Sequence, residues 1–183
     1  MAACIEQFRM PRYREIPDVG LYLDQTVNYV NRYLAPLGRM EITSSMVSNY
    51  VKKGYISNPV HKQYDASQIA YLFFISIAKS VLSMENIARL FEMQKRMYTA
   101  EIAYDFFCAE IENMLQYTFG LKETLDEVGT PEDKSETKTM LRSTIIAVTH
   151  IIYLSNRFET MKAPEEATEE TGRMALPDSG ENN

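Results

Sequence analysis

The chain has 183 residues, of which 45% are hydrophobic and 24% charged, with a formal net charge of −6 and two cysteines. This composition supports one domain, or one with an extension, around a real apolar core, and excludes a fibre. The longest apolar run, residues 69–75, is too short to span a bilayer and no leader pattern opens the chain, so we expect a cytoplasmic protein with no membrane partner.

The opening residues, with Arg9, Pro11, Arg12 and Arg14 ahead of Pro17, read as an irregular basic arm, because the prolines prevent a regular helix. A helix is expected from Asp18, with Leu21, Tyr22, Val27, Val30 and Leu34 on its apolar side and Pro36 and Gly38 ending it. Thr43 can cap a second helix, whose inner set is Met46, Val47, Tyr50 and Val51 and whose stop is Gly54. Ile56 to Val60 cannot continue a helix, and His61, Lys62 and Gln63 form a polar tip on what reads as a two-stranded wing between Tyr55 and Tyr64. Asp65 with Gln68 makes a capping box for a helix over about 66–81, mostly core: Ile69, Leu72, Phe73 and Ile77. Ser83 caps the next one.

From Met84 a helical pattern runs without Gly or Pro to Phe119, where Gly120 stops it. Leu90, Met97, Tyr104 and Ile111 recur every seven residues, and Met93, Ala100, Phe107 and Met114 follow three later, which is a heptad seam. It reads either as a subunit-pairing surface or as one wide face of an intramolecular bundle, since Ile87, Phe91, Ile102 and Phe106 are apolar too. Thr130, Pro131 and Asp133 signal the start of a last helix ending near Met161, with Leu141, Ile145, Val148 and Ile152 along its stripe. Residues 163–183 are acidic and poor in apolar side chains, so disorder is expected there.

Charge separates by segment: residues 1–62 carry +3, residues 63–162 carry −4 and residues 163–183 carry −5. The second helix, Ser44 to Lys53, has an outer set of Ser44, Ser45, Ser48, Asn49, Lys52 and Lys53, suited to a DNA major groove. Small serines permit phosphate contact by backbone amides, Asn49 can read an adenine edge, and the lysines reach phosphates. The same polar spacing also describes a solvated helix face. His61, Lys62 and Gln63 would grip the backbone beside the groove. For catalysis there is no phosphate loop, metal-helix motif, nucleophile elbow or triad, so no enzyme, cofactor or metal site is expected. Glu101, Asp105 and Glu112 suit an exposed stripe, Glu110 and Glu112 read as solvated, and Cys4 and Cys108 read as free thiols.

The run MVSNYVKKGYI, a short loop, KQYDASQIAYLFFI and then LSMENIARLF resembles the DNA-binding domain of the MerR transcription regulators. Tyr50, Lys52, Gly54, Ile56, Lys62, Tyr64, Ile69, Leu72, Ile75, Leu82 and Ile87 fall on matching positions. Ser48, Asn49, Val51 and Lys62 depart from the residues usual there. With its opening stretch FRMPRYREIPDVGLYLDQ, the chain also resembles an uncharacterised bacterial family, a domain of unknown function placed near MerR, over about residues 8–160. The resemblance implies a mostly α fold: a MerR-like winged helix-turn-helix (1–82), a helical dimerisation region of a long helix and a further helix (83–162), and the tail. It further implies a homodimeric regulator of duplex DNA at a palindromic site, paired through Leu90, Met93, Met97, Tyr104, Phe107, Ile111 and Met114. The alternative is a MerR-like protein-interaction adaptor. No effector is legible, although Tyr98, Phe106, Phe107, Tyr117 and Phe119 read as core or as the lining of a small-molecule pocket.

Overall fold

The computed structural model of the chain describes residues 5–38, 40–130 and 132–161. Cys4, Pro131 and the acidic tail lie outside the described residues. The fold is mostly α, with six α-helices and one two-stranded sheet among the described residues. In chain order these are β1 (Leu21–Tyr22), α1 (Leu23–Leu34), α2 (Ser44–Lys52), β2 (Gln63–Tyr64), α3 (Ala66–Ala78), α4 (Met84–Met97), α5 (Ala100–Thr118) and α6 (Glu136–Met161).

Local chemistry fixes most boundaries. Thr43 Oγ1 accepts from the Met46 amide, Ser83 Oγ from the Asn86 amide, and Gly54 (φ 75°) and Gly120 (φ 70°) take left-handed conformations where α2 and α5 stop. Asp65 and Gln68 form the expected reciprocal box, the amide of each donating to the side chain of the other at 2.8 and 2.9 Å.

Helix α3 is the centre. Ile69, Leu72, Phe73, Phe74, Ile75 and Ile77 are all buried, and even Gln68 and Ser76 are inside, so the helix is covered all round and its sequence is apolar all round. Around it the Phe73 ring meets Tyr29, Tyr33 and Tyr104 at centroid distances of about 6 Å, and Phe74 meets Phe91 and Phe107 at 5.4 and 5.1 Å. One cluster of buried side chains runs from Ile5 to Ile152, so the helices before and after residue 82 share a core.

Four departures from the sequence expectations concern where the elements begin and how the arm lies. The helix expected from Asp18 begins at Leu23, because Leu21 and Tyr22 pair antiparallel with Tyr64 and Gln63. The last helix begins at Glu136 instead of beside Thr130, because the Asp133 carboxylate is taken by the Tyr98 hydroxyl (2.5 Å) and the Ser135 amide (3.0 Å), and Ser135 Oγ accepts from the Lys138 amide. The single long helix from Met84 to Phe119 is two helices. Tyr98 is extended, and Thr99 Oγ1 accepts from the Ile102 amide to start α5, while Gln94 Nε2 donates to the Tyr98 carbonyl at 2.7 Å.

The fourth departure is the arm, which is docked rather than free. Arg12 forks onto Glu112 at 2.6 and 2.7 Å, the Met10 amide donates to the same carboxylate, the Tyr13 amide donates to Asp105, and Arg14 pairs with Glu101. The stripe of carboxylates on α5 is therefore the arm's receptor and not a solvated face. The Arg12 guanidinium is held more firmly protonated by its bonds to Glu112. Beneath the arm lies Cys108, fully buried, its thiol pushed up to about 12 by burial and directed at the Pro11 carbonyl.

Glu110 corrects the sequence reading most sharply. Its side chain is 1% exposed, and its Oε1 lies 2.7 Å from Arg142 Nε of α6 in an ionic contact without an aligned hydrogen bond. Burial raises the Glu110 pKa against the opposing pull of Arg142. A buried carboxyl with a raised folded pKa favours folding most while protonated, and its ionised form costs stability as pH rises through that value. Arg142→Ala should therefore destabilise the protein by about 2–3 kcal/mol at neutral pH, where it leaves a buried charge unpaired. The deficit should shrink in mild acid. Urea denaturation of both proteins at the two pH values checks this, and a deficit independent of pH would contradict the assignment.

Candidate nucleic-acid interface

Helix α2 is seated by its apolar side, with Val47 and Tyr50 buried, and by a clamp that no sequence pattern announced. The Asn31 side chain of α1 both donates to the Ile42 carbonyl and accepts from the Ile42 amide, each at 2.9 Å. A primary amide that satisfies both groups of one residue fixes how the chain approaches α2. Lys79 reinforces the same segment by donating to the Glu41 carbonyl at 2.8 Å.

Of the expected outer set, Ser45, Ser48, Asn49, Lys52 and Lys53 are exposed. Ser44 is half-buried and donates to Asp24 at 2.8 Å, which places a carboxylate at the N-terminus of α2, where a phosphate would otherwise be favoured. Ser48 donates to the Ser44 carbonyl and Ser45 shares a hydrogen bond with Thr43. Among the described residues, no hydrogen bond or ion pair occupies the Asn49 or Lys52 side chain.

The expected tip is a tight antiparallel turn. Val60 bridges Gln63, whose amide donates back to the Val60 carbonyl at 2.9 Å, and His61 (φ 51°) and Lys62 (φ 65°) occupy the two central positions. Positive φ at both is the two-residue hairpin geometry whose twist matches paired strands. His61 and Lys62 are exposed, but Gln63 is half-buried in β2 and does not belong to the tip. The ribbon is shorter than expected from Tyr55 to Tyr64. Its continuation is β1, and the close approach requires Gly20 (φ 75°), where an added Cβ would stand 3.0 Å from Gln63 Cβ. Gln68 Nε2 holds the loop behind the turn by donating to Ser57.

Sequence reasoning missed the cations of α4. Arg89, Lys95 and Arg96 line a groove with Gly54 and Tyr55, just past Lys52 and Lys53. The Glu85 carboxyl lies below its ordinary range, first through hydrogen bonds at the start of α4 and then through the charges of Lys53 and Arg89. Lys95 pairs with Glu92 at 3.4 Å. The groove lining thus holds three cations and one carboxylate, Glu92. The signal was present in the sequence, since Arg89 and Arg96 are seven apart on the side of α4 away from the buried Ile87, Leu90 and Phe91.

The residues expected to pair subunits are mostly interior. Leu90, Tyr104, Phe107, Ile111 and Met114 are buried within the chain, Met93 is half-buried, and Met97 is exposed. The Leu90–Met114 heptad is therefore an internal seam, because the break at Tyr98 and Thr99 lets α5 turn and face α3 and α6. Of the aromatic residues read as core or pocket lining, Phe107 is buried whereas Tyr117 is 44% exposed.

The profile of a family described as a domain of unknown function, DUF1836, matches residues 11–107. The chain belongs to this family. The DUF1836 stretch opens at the docked arm, takes in α1 to α4 with the hairpin, and ends within α5. No curated protein and no solved structure matches the chain. No helix among the described residues is long and apolar enough to cross a membrane.

The hairpin of this DUF1836 chain uses two side-chain-bearing residues where glycine or asparagine is favoured. Replacing His61 with Asn and Lys62 with Gly together should stabilise the protein by about 0.5–1 kcal/mol, by removing the penalty of positive φ. A lower midpoint in chemical denaturation would contradict this turn geometry.

Proposed function

We propose that this DUF1836 protein is a sequence-specific DNA-binding regulator that acts as a homodimer, with α1 and α2 as its helix-turn-helix and the hairpin at His61 and Lys62 as its wing. The observation that carries this reading is the exposed face of α2, where Asn49, Lys52 and Lys53 extend outward from a helix clamped by Asn31. Arg89, Lys95 and Arg96 extend the positive surface, so phosphate contact would not depend on the arm, whose arginines are paired internally. The resemblance of residues 40–92 to MerR regulators supports the same reading, with the recognition helix in the major groove and the wing on the backbone. Replacing both Lys52 and Lys53 with Glu should abolish retention of duplexes selected from a random pool. Unchanged retention would remove α2 from the interface.

For pairing we assign α6 in place of the internal seam. Met140, Thr144, Ala147, Ile151, Leu154, Phe158 and Met161 alternate at spacings of four and three, and all but Thr144 are exposed, Leu154 by 51% and Phe158 by 59%. From Ser143 to Asn156 the helix carries no charged residue, the depletion typical of an interface core. Covering this row would bury on the order of 600 Å² per copy, near the roughly 800 Å² that each partner of a standard interface contributes. Leu154→Glu with Phe158→Glu should give a folded monomer by analytical ultracentrifugation. A persistent dimer would overturn the assignment.

A second reading, an adaptor that binds protein rather than DNA, is favoured by Asp24 at the N-terminus of α2 and by the net charge. The random-duplex selection separates the two, because an adaptor yields neither an enriched motif nor a steep salt dependence.

A further inference from the structure

A cavity of about 830 Å³ lies among α3, α4, α5 and α6 and shares Phe91 with the α4 groove. It is open to solvent on one side, and an open cleft of this size with mainly aromatic and small apolar lining is the usual form of a small-molecule site. Its origin is visible in the residues. Ala70 of α3 and Ala100, Ala103 and Ala109 of α5 present methyl groups where larger side chains would close the space. Phe74, Phe91, Phe106 and Phe107 supply the walls.

The segment joining α5 to α6 forms one side of the cavity through Val128, Gly129, Thr130 and Asp133. It is long, and its described residues form no helix or strand, a combination that in compact domains commonly accompanies function. Two attachments hold it at the cavity: the Tyr98 hydroxyl on Asp133 at 2.5 Å, and Lys138 Nζ on the Thr130 carbonyl at 2.8 Å. Gly129 (φ 79°) lies so close to Phe106 that an added Cβ would stand 3.0 Å from the ring. The strap is thus fitted to the wall.

Most polar groups of the lining already have partners, although the buried Tyr104 hydroxyl has none among the described residues. Gln94 accepts from the Tyr71 hydroxyl and donates to the Tyr98 carbonyl, Arg14 pairs with Glu101, and Lys138 serves Thr130. The charged groups Arg14, Glu101 and Lys138 each already have a partner that a charged ligand would have to displace, whereas an apolar one would meet aromatic walls. We propose that this cavity binds a neutral, largely apolar aromatic molecule of drug-like size, an activity that stands apart from the DNA-binding reading. Ala70, Tyr71 and Phe74 of α3 line the cavity, and Gln68 of the same helix holds the loop behind the hairpin.

The test is a fluorescence titration of the full chain with the neutral probe N-phenyl-1-naphthylamine, without DNA, so its failure is distinguishable from failure of DNA binding. Saturable binding to one site is expected. Ala103→Trp, which fills the cavity, should weaken that binding by about tenfold or more with helical circular dichroism retained. Val128→Trp on the strap should do the same if Ala103→Trp fails to fold. Leu154→Glu with Phe158→Glu should leave binding unchanged. No saturable binding, equal binding by the filled variants, or loss of binding only in the α6 variant would each overturn the proposal.

Discussion

The fold depends on a single helix that has no outside. Because α3 is covered on every side, it cannot take its orientation from the boundary between water and core, as an amphipathic helix does. Its position is set instead at its start, where the box between Asp65 and Gln68 fixes the first turn and Gln68 also reaches Ser57. From there the aromatic rings of Phe73 and Phe74 distribute contacts in two directions, to Tyr29 and Tyr33 of α1 and to Phe91 of α4 and Phe107 of α5. The candidate interface and the cavity therefore rest on one packing arrangement, and Phe91 lines both the α4 groove and the cavity.

Charge in this protein is less free than its distribution along the sequence implies. The positive balance of residues 1–62 includes Arg9, Arg12 and Arg14, all of which are consumed by Glu15, Glu112 and Glu101. Arg12 and Glu112 form a partly buried bidentate pair, so that contribution is structural. The cations left for a partner come from two separate stretches, Lys52 and Lys53 of the α2 region and Arg89, Lys95 and Arg96 of α4. Folding sets the three α4 cations in one groove with Gly54 and Tyr55, the residues that follow Lys53.

Features that reside within four residues were legible in the sequence, and features that require a distant partner were not. Thr43, Ser83 and the Asp65–Gln68 pair are caps whose donors and acceptors are close neighbours, and each behaves as its pattern implies. Asn31 looks like any polar residue on α1, and nothing nearby says that it will hold Ile42. The break at Thr99 was written locally, as a cap followed by Ala100 and Glu101, but the heptad through it suggested continuity. That heptad was real as a pattern and wrong as a surface, since periodicity shows which residues share a face and not what the face meets. Pro131 and Asp133 misplaced the start of α6 for the related reason that Tyr98 claimed the carboxylate.

The pairing of Leu21 and Tyr22 with Tyr64 and Gln63 has a mechanical side. β1 runs straight into α1, with Tyr22 as the residue preceding the helix, so the hairpin and α1 are two arms of one bent rod. Asn31 then bolts the far end of α1 to the residue ahead of α2. The exposed turn of His61 and Lys62 is thus tied to α2 through α1, by strand pairing at one end and the Asn31 side chain at the other, and not through the intervening loop alone.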